Sequence, residues 1–355
     1  MRVLIIKTSS LGDVIHALPV LSYLHAVSPG IVIDWVVEEA FLSMVQHNPL
    51  ISKIHTVRTK AWRKKPFSGE TRDQVRQLCR NLRERHYDLA FDLQGNLKSG
   101  LIGMLSCAPV RIGFSREAVQ EKLNLLFTTQ QVAFAPEDRH VAERYLRIVS
   151  APFGSNIGNA QTATDIVSSA EDEAAAEHFL TAFSGGKLLL FQVGTTWSTK
   201  LWHAEGWIEL ARLVLERYPA AKILINWGSP DEKALGEEII QAAGSRVSLL
   251  PWLKIKELVP VIRRVDLVIG GDTGPLYLAA AVGTPTLSFY RATDATRYAP
   301  RGECHMSLQA PMECAGCLRT SCERDAECRA SITVDKLFPA VVHLLSDSSC
   351  ERKPL

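Results

Sequence analysis

The chain has 355 residues, of which 46% are hydrophobic and 22% are charged, and it carries a net charge of +2. This composition is typical of a globular protein, and the length favours two domains because single cores seldom exceed about 250–300 residues. The small net charge excludes a polycation that binds nucleic acid through bulk charge, so we expect no nucleic-acid partner. Every apolar run is far shorter than the roughly 20 residues that cross a bilayer. The apolar run before Lys7 is also too short for a signal peptide, so we expect the chain in the cytoplasm.

Strands and helices alternate along the first half of the chain. The pattern predicts strands over residues 2–7, 31–37 and 89–93, and helices over residues 13–26, 74–85 and 98–105. Pro19 falls inside the first of these helices, which is therefore either kinked or replaced by a second helix that begins at Pro19. The alternation favours a parallel, doubly wound sheet.

The second half of the chain repeats this alternation. It predicts strands over 187–192, 222–226, 265–269 and 286–290, and helices over 204–218, 230–243, 255–264 and 276–281. Small and turn-forming residues over 151–159 mark the boundary between the two halves. We expect an N-terminal domain over 1–158, a C-terminal domain over 159–334, and a C-terminal helix and tail over 335–355 that packs back on the N-terminal domain.

Several common catalytic motifs are absent. The sequence contains neither a Gly-x-Gly-x-x-Gly dinucleotide fingerprint nor a Gly-x-x-x-x-Gly-Lys-Ser/Thr phosphate loop. It also contains no His-Glu-x-x-His helix and no Gly-x-Ser-x-Gly turn. These absences disfavour dehydrogenases, P-loop kinases, zinc peptidases and serine hydrolases.

Two junctions between a strand and a helix contain residues suited to chemistry. The first spans residues 7–13 and ends in Asp13, and the second spans 270–275 and contains Asp272, Thr273 and Gly274. Parallel sheets bind ligands at this edge, so the two junctions predict two domains that face a cleft. Asp13 is either a helix cap or a base that accepts a proton from a hydroxyl nucleophile. The second junction is either a capped turn or a diphosphate site at a helix N-terminus.

Three further segments carry polar or charged residues. Residues 195–202 combine hydroxyl groups with Lys200, which suits a phosphate, although a plain Ser/Thr-rich loop is the alternative. Glu232, near the start of a helix, is suited to ribose hydroxyls or is an ordinary acid in a first helical turn. Residues 58–65 include five basic residues and no acid, which suits a polyanionic ligand or an anionic membrane, or forms a solvated loop.

Five of the eight cysteines lie between residues 304 and 328. Disulfide bonds are rare in the cytoplasm, so one interpretation of this cluster is a structural zinc site held by Cys314, Cys317, Cys322 and Cys328. Their spacing differs from standard zinc fingers, which leaves reduced structural thiols and an oxidation site as alternatives. We expect no part for these cysteines in catalysis.

Together the motifs resemble the ADP-heptose:lipopolysaccharide heptosyltransferases of glycosyltransferase family 9, and most of all the heptosyltransferase I branch. The start Lys-Thr-Ser-Ser-x-Gly-Asp and the run Asp-Trp-Val-Val-Glu-Glu resemble that branch more than heptosyltransferase II. The resemblance covers most of the chain and is strongest over residues 1–14, 34–39, 92–99, 227–230 and 272–274.

This resemblance implies a GT-B fold with two Rossmann-like domains, the N-terminal one for the acceptor and the C-terminal one for the donor. It implies inverting, metal-independent transfer of L-glycero-D-manno-heptose from ADP-heptose to Kdo-lipid A, in lipopolysaccharide inner-core synthesis at the inner leaflet of the inner membrane. We therefore expect a peripheral protein of the cytoplasmic face, with an anionic membrane surface as a partner and no required cofactor.

Residue roles follow from positions that match the family's motifs. Asp13 corresponds to the catalytic base, and Lys200 to the lysine at the donor diphosphate. The remaining donor positions are Thr195, Thr196, Glu232, Asp272, Thr273 and Gly274. The acceptor positions are Lys60, Arg63, Lys64, Gln94, Lys98 and Arg116.

The chain departs from the family's pattern at three positions near these site residues. Tyr277 stands where a histidine is expected after Asp-Thr-Gly, Ala61 replaces an arginine of the acceptor loop, and Gln120 replaces another acceptor-binding arginine. Arg116 and Lys122 lie near Gln120 in the sequence. These changes indicate a different phosphorylation pattern on the acceptor. Another family 9 transferase with a different acceptor is the alternative function, and a non-catalytic bilobal binding protein is a more distant one.

Overall fold

The computed structural model describes residues 1–154 and 166–350. The chain divides into two compact units, Met1–Val167 and Ser168–Leu355. The predicted domain boundary after residue 158 falls within residues 155–165, which lie outside the described part of the chain. Each unit is built around one parallel sheet of six strands.

The first unit has the strand order β3-β2-β1-β4-β5-β6, with every neighbouring pair parallel. Its strands are β1 (Arg2–Ile6), β2 (Val32–Glu38), β3 (Lys53–Val57), β4 (Leu89–Asp92), β5 (Val110–Phe114) and β6 (Gln130–Val132). Its helices are α1 (Leu11–Ala17), α2 (Pro19–Val27), α3 (Thr59–Lys64), α4 (Gly69–Arg83), α5 (Leu97–Leu105) and α6 (Val141–Ser150), with 3-10 turns at Glu39–Met44, Lys122–Leu126 and Ala151–Phe153.

The predicted helix over residues 13–26 is two helices. Helix α1 begins at Leu11, with Ser10 in extended backbone before it, and α2 begins at Pro19. Proline is favoured at the first position of a helix because its missing N–H would have no partner there. The second of the two predicted alternatives for Pro19 is therefore confirmed.

The second unit has the strand order β12-β11-β10-β7-β8-β9, again with parallel neighbours. Its strands are β7 (Leu188–Gln192), β8 (Lys222–Asn226), β9 (Val247–Leu249), β10 (Leu267–Gly271), β11 (Thr286–Tyr290) and β12 (His305–Gln309). Its helices are α7 (Ala170–Leu180), α8 (Ala204–Arg217), α9 (Pro230–Ala243), α10 (Ile255–Arg263), α11 (Gly274–Ala281), α12 (Ala295–Tyr298), α13 (Asp325–Ala330) and α14 (Val334–Ser346), with 3-10 turns at Thr181–Phe183, Ser198–Lys200 and Ser348–Cys350.

The central strands are buried along their whole length, which explains their continuous apolar sequence. Every residue of β7, β10 and β11 is buried, because helices cover a parallel sheet on both faces. The largest buried side chains in the second unit include Trp202, Trp207 and Phe289, whose rings pack against one another. The prediction of two Rossmann-like α/β units is confirmed.

Both units place their first and fourth strands side by side at the centre of the sheet. In the first unit β1 pairs with β4, and in the second β7 pairs with β10. The strand order reverses at this point, and loops that leave the carboxyl ends of these strands border the crevice where doubly wound sheets bind ligands. The loops after β1 and β4, and after β7 and β10, are therefore the places to search for a site.

The C-terminal helix α14 packs within the second unit. It lies against α8 and against strands β10, β11 and β12 through buried residues such as Leu337, Val341 and Leu344. The expected packing of this segment on the N-terminal domain stays a prediction. Within the described residues, no helix combines the length and apolarity needed to cross a membrane.

Candidate active site

The loop after β1 brings together a lysine, an aspartate and a tyrosine. Lys7 follows the last residue of β1, and its Nζ lies 3.7 Å from Asp13 Oδ1. The Tyr145 hydroxyl, from α6, donates a hydrogen bond of 3.3 Å to the same oxygen. Lys7 Nζ also lies 4.9 Å from the centre of the Tyr145 ring. The carboxylate therefore faces a cation and a hydroxyl donor at the carboxyl edge of the sheet.

Asp13 also takes part in capping the helix, although it is not the first residue. Its Oδ2 accepts hydrogen bonds from Ser10 N–H at 3.1 Å and from Ser10 Oγ at 2.8 Å. Asp13 is the third residue of α1, so the expectation that Asp13 opens the helix is wrong and the helix begins two residues earlier. A capping contact occupies one oxygen, and the side chain as a whole keeps 34% exposure. Capping and chemistry are therefore compatible at this residue.

The surroundings keep Asp13 ionised. Burial opposes its charged form, but the Lys7 ammonium and the hydrogen bonds from Ser10 outweigh burial and hold the pKa of Asp13 below its ordinary value. Burial lowers the pKa of Lys7, while the charges of Asp13 and Asp92 partly oppose that shift. An ionised carboxylate is ready to accept a proton, although its low pKa makes it a weak base in the resting site.

A second loop, after β4, braces the first. Gln94 Oε1 accepts hydrogen bonds from the backbone N–H groups of Thr8 and Ser9, both at 3.1 Å. Buried Asp92 in turn accepts from the N–H groups of Gln94 and Gly95, both at 2.9 Å. Gly95 has φ +74, and a Cβ there would lie 2.9 Å from the Phe114 ring, so glycine is required. Gln94 thus supports the Asp13 loop, and its predicted contact with an acceptor stays a prediction.

The predicted acceptor cations lie on the same unit. Lys60, Arg63 and Lys64 are exposed on the short helix α3. Lys98, on the first turn of α5, donates a hydrogen bond of 3.2 Å to Thr59 Oγ1 and so connects α5 to the start of α3. Arg116 is exposed in the loop after β5. Their roles in acceptor binding stay predictions.

In the second unit the loops after β7 and β10 form another lysine–aspartate pair. Lys200 Nζ lies 2.7 Å from Asp272 Oδ2, and it also lies 4.2 Å from the centre of the Trp197 ring. The hydroxyl of Tyr277 donates a hydrogen bond of 2.5 Å to Asp272 Oδ1. Burial is the largest of the causes that raise the pKa of Tyr277, and the nearby charge of Asp272 adds to it. Tyr277 therefore stays protonated and acts as a donor to the carboxylate.

The loops after β7 and β10 pack closely against each other. Thr195 Oγ1 donates to the carbonyl of Asp272 at 3.3 Å. A Cβ on Gly271 would lie 3.1 Å from the carbonyl oxygen of Lys200, and a Cβ on Gly194 would lie 1.9 Å from the carboxyl carbon of Glu232. Glycine at both positions lets Lys200 and Glu232 reach the carboxyl edge of the sheet.

The remaining predicted donor residues lie on the same edge. Glu232 Oε2 accepts from Gly228 N–H at 2.6 Å, beside the start of α9. Thr196 is exposed in the loop after β7, and Thr273 precedes α11, which begins at Gly274. The structure brings Thr195, Lys200, Asp272 and Gly274 to one edge of one sheet, as the sequence predicted. Their contacts with a donor stay predictions.

A buried arginine that no sequence motif indicated supports the Lys200 loop. Arg291, directly after β11, donates to the carbonyl of Leu201 at 2.5 Å and to Asp325 Oδ1 at 2.7 Å. Thr199 Oγ1 donates to the carbonyl of Arg319 at 2.7 Å. The cysteine-containing segment therefore lies against the loop that carries Lys200.

The cysteines differ from the prediction. Cys304 and Cys350 form a disulfide bond across 46 residues, because the C-terminal turn returns to the start of β12, although disulfides were not expected. Cys314, Cys317, Cys322 and Cys328 are free thiols. Among residues 1–154 and 166–350, no group of three or more His, Cys, Asp or Glu side chains is placed to hold a metal ion, so the structure does not gather these four thiols into the predicted zinc site.

Comparison with known proteins decides the family. Residues 75–326 match glycosyltransferase family 9 (heptosyltransferase). The chain belongs to this family. It is 32% identical over 328 residues to lipopolysaccharide heptosyltransferase 1 of Pseudomonas aeruginosa, covering 91% of this chain and 87% of that protein. It is 30% identical to lipopolysaccharide heptosyltransferase 1 of Escherichia coli K12, covering 88% of this chain and 95% of that protein.

Solved structures of this glycosyltransferase family have the same fold. The Escherichia coli heptosyltransferase WaaC with ADP-2-deoxy-2-fluoro heptose matches with a TM-score of 0.76 and 28% identity, covering 97% of this chain and 99% of that one. The Escherichia coli ADP-heptose lps heptosyltransferase II matches with a TM-score of 0.72 and 18% identity, covering 97% of this chain and 98% of that one, which supports the fold alone. The predicted GT-B class and the predicted family are confirmed.

Proposed function

We propose that this glycosyltransferase moves L-glycero-D-manno-heptose from ADP-heptose to Kdo-lipid A, with inversion at the anomeric carbon, in lipopolysaccharide inner-core synthesis. Relatives named lipopolysaccharide heptosyltransferase 1 support the acceptor class, and the WaaC structure with an ADP-heptose analogue supports the donor. The observation that carries the proposal is the ionised and partly exposed carboxylate of Asp13 at the carboxyl edge of the first sheet.

Asp13 acts as the general base. As the acceptor hydroxyl oxygen attacks the anomeric carbon, Asp13 takes the hydroxyl proton, and the bond between that carbon and the donor phosphate oxygen breaks. The bonding electrons leave with ADP, and attack from the opposite face inverts the centre. The pKa of Asp13 lies below its ordinary value in the resting site, so the base is already ionised when the acceptor binds.

Lys200 neutralises the leaving diphosphate. In the resting structure its ammonium pairs with Asp272, so the donor diphosphate shares a cation that is already held in place. The N-terminus of α11, at Gly274, adds partial positive charge, and Thr195, Thr196 and Thr273 supply hydroxyl donors. Glu232 binds the ribose hydroxyls. With this charge present, the reaction requires no divalent metal.

The acceptor binds on the first unit. Its carboxylates and phosphates face the cations of α3, Lys60, Arg63 and Lys64, and contact Gln94, Lys98 and Arg116. Because the acceptor is a lipid, the protein works as a peripheral protein on the cytoplasmic face of the inner membrane, against an anionic leaflet.

The replacement of two arginines by uncharged residues favours a second candidate acceptor. Ala61 and Gln120 stand where the family's pattern has arginines, and both side chains are exposed on the first unit. Loss of two guanidinium groups weakens binding of acceptor phosphates. The alternative is a family 9 transferase whose core-saccharide acceptor carries fewer phosphates.

An ADP-release assay tests the proposal. Purified protein with ADP-heptose should release ADP rapidly when Kdo-lipid A is added and slowly without an acceptor. Release that requires a differently phosphorylated acceptor would favour the second candidate. Binding of ADP-heptose without release for any core acceptor would contradict transfer and favour a binding protein.

A further inference from the structure

Two neighbouring segments of the first unit expose apolar side chains on one surface. The 3-10 turn Lys122–Leu126 exposes Leu123 at 58% and Leu126 at 77%, and α5 exposes Leu101 and Met104. Soluble proteins expose single large apolar residues routinely, but a cluster indicates a binding surface. These four residues are called the apolar patch below.

The two segments that carry these four side chains pack against each other. A Cβ on Gly100 would lie 2.7 Å from the Phe127 ring, so the 3-10 turn rests directly on α5. Leu101 and Met104 are three residues apart on the helix, and Leu123 and Leu126 are three apart on the 3-10 turn, so each pair shares a face. Gly100 is buried, whereas both members of each pair remain exposed.

Positive charge borders the apolar patch on one side. Lys98 is exposed one turn before Leu101 on the same helix, and its hydrogen bond to Thr59 ties α5 to helix α3. Helix α3 and the residue after it expose Lys60, Arg63, Lys64 and Lys65. Arg58 is paired with Glu39 at 2.6 Å and therefore adds little to the positive charge of this surface. Charges over residues 116–122 balance, with two basic and two acidic residues, so the cationic contribution comes from α3 and Lys98.

We infer that the apolar patch and helix α3 together form a membrane-docking surface for an anionic bilayer. Leucine and methionine side chains enter the boundary between headgroups and acyl chains, while the lysines and arginine face anionic headgroups. Charge complementarity favours a bilayer over a second copy of the chain, whose α3 would present like charges to the same surface. The inference rests on the proposed function in one respect, since a lipid acceptor explains why docking and acceptor residues share helices α3 and α5.

Flotation with vesicles tests this surface directly. Full-length protein should float with vesicles of phosphatidylcholine containing about one third phosphatidylglycerol, and bind pure phosphatidylcholine about tenfold or more weakly. Leu123→Ser/Leu126→Ser should weaken binding to the anionic vesicles by about tenfold or more. Lys60→Gln/Lys64→Gln should weaken it by about tenfold and reduce its salt dependence.

Matched controls replace exposed residues of the second unit. Trp252→Ser removes an exposed apolar side chain and Lys336→Gln removes an exposed cation, and neither should change vesicle binding. Melting temperatures confirm that each variant folds, and Leu101→Ser/Met104→Ser provides a second test if the first leucine variant is unstable. ADP release with a deacylated, water-soluble acceptor should stay within about twofold for the leucine variant, because that acceptor needs no membrane.

Three results would overturn the inference. They are failure of the parent protein to bind anionic vesicles, equal binding by the leucine variant, and a dimer that depends on the apolar patch without vesicle binding. If the parent protein failed to release ADP from ADP-heptose in the presence of the deacylated acceptor, that result would instead contradict the proposed function, and vesicle binding would remain.

Discussion

The two units contain the same three side chains at the same kind of place, but they differ in how exposed the aspartate is. Each has a lysine, an aspartate and a tyrosine whose hydroxyl donates to the aspartate, at the carboxyl edge of a parallel sheet. In the first unit the lysine side chain is 3% exposed and the aspartate 34%. In the second unit the values are 13% and 9%.

This difference fits the two roles proposed for the pairs, a general base in the first unit and a cation site in the second. Lys7 is buried behind Asp13 and keeps a reachable carboxylate ionised, whereas buried Asp272 holds a lysine toward the loops that carry the donor residues. The separations of 3.7 and 2.7 Å agree with this, because the looser pair leaves the carboxylate more able to accept a proton. One arrangement of residue types thus leaves the aspartate accessible in the first unit and buried in the second.

The largest effect should come from Asp13→Asn. Loss of the general base should lower kcat by about 10²–10⁴ and leave donor affinity nearly unchanged. Turnover of saturating substrates and calorimetric binding of ADP measure the two quantities. Asparagine can still accept from Ser10, so a capping residue would be replaced almost silently, and near-normal turnover would show that Asp13 is structural.

Lys200→Ala should weaken donor binding and slow transfer by about 10–10² each, the range expected for a lost charged hydrogen bond. It also leaves buried Asp272 without its cation, so Lys200→Ala/Asp272→Asn is the matched control. The double variant should regain thermal stability without regaining donor affinity. Recovery of affinity would mean that Lys200 acts through stability.

Lys64→Ala should raise the KM for the phosphorylated acceptor by a few-fold, about the contribution of one exposed cation, with donor affinity unchanged. Steady-state titration of each substrate at saturating levels of the other measures this. If Lys64→Ala and Lys200→Ala changed binding of the same substrate, the assignment of donor and acceptor to different units would be wrong.

The two tyrosines provide the most direct comparison between the pairs. Tyr277→Phe removes a hydrogen bond of 2.5 Å to Asp272 and should raise the donor KM by about 3–10-fold. Tyr145→Phe removes a longer one of 3.3 Å to Asp13 and should change kcat by less than about threefold. A larger effect of Tyr145→Phe, or an effect of Tyr277→Phe on kcat alone, would contradict the division of roles.

The smallest effect should be that of pH between about 5 and 8. The pKa of Asp13 lies below its ordinary value, so the base stays ionised throughout this range, and the loss of activity from its protonation falls at lower pH. We expect kcat for the parent enzyme to change by less than about twofold from this group. An acidic limb centred near pH 6 that disappears in Asp13→Asn would show that substrates raise the pKa far more than the resting site lowers it.

The central strands were predictable and several outer strands were not. Strands β8 and β11 match their predictions at both ends, because buried parallel strands are rich in aliphatic, aromatic and β-branched residues. Strands β3, β5, β6, β9 and β12 were not predicted. These strands lie at the edges of the sheets or beside an edge. They are short and contain polar residues among the apolar ones, so their sequences resemble loops.

Asp13, Lys200 and Asp272 could be identified from the sequence alone, since each follows an apolar strand in a recognisable motif. The fold determines which other side chains contact these three residues. Tyr145 and Asp13 are 132 residues apart in the sequence, and Tyr277 stands where a histidine was expected, so the sequence motifs did not indicate the hydrogen bonds of these two tyrosines. The pairing of Cys304 with Cys350 was likewise decided by the fold. Side-chain exposure depends on packing between distant segments, and exposure is what distinguishes Asp13, the proposed base, from Asp272, the proposed support for Lys200.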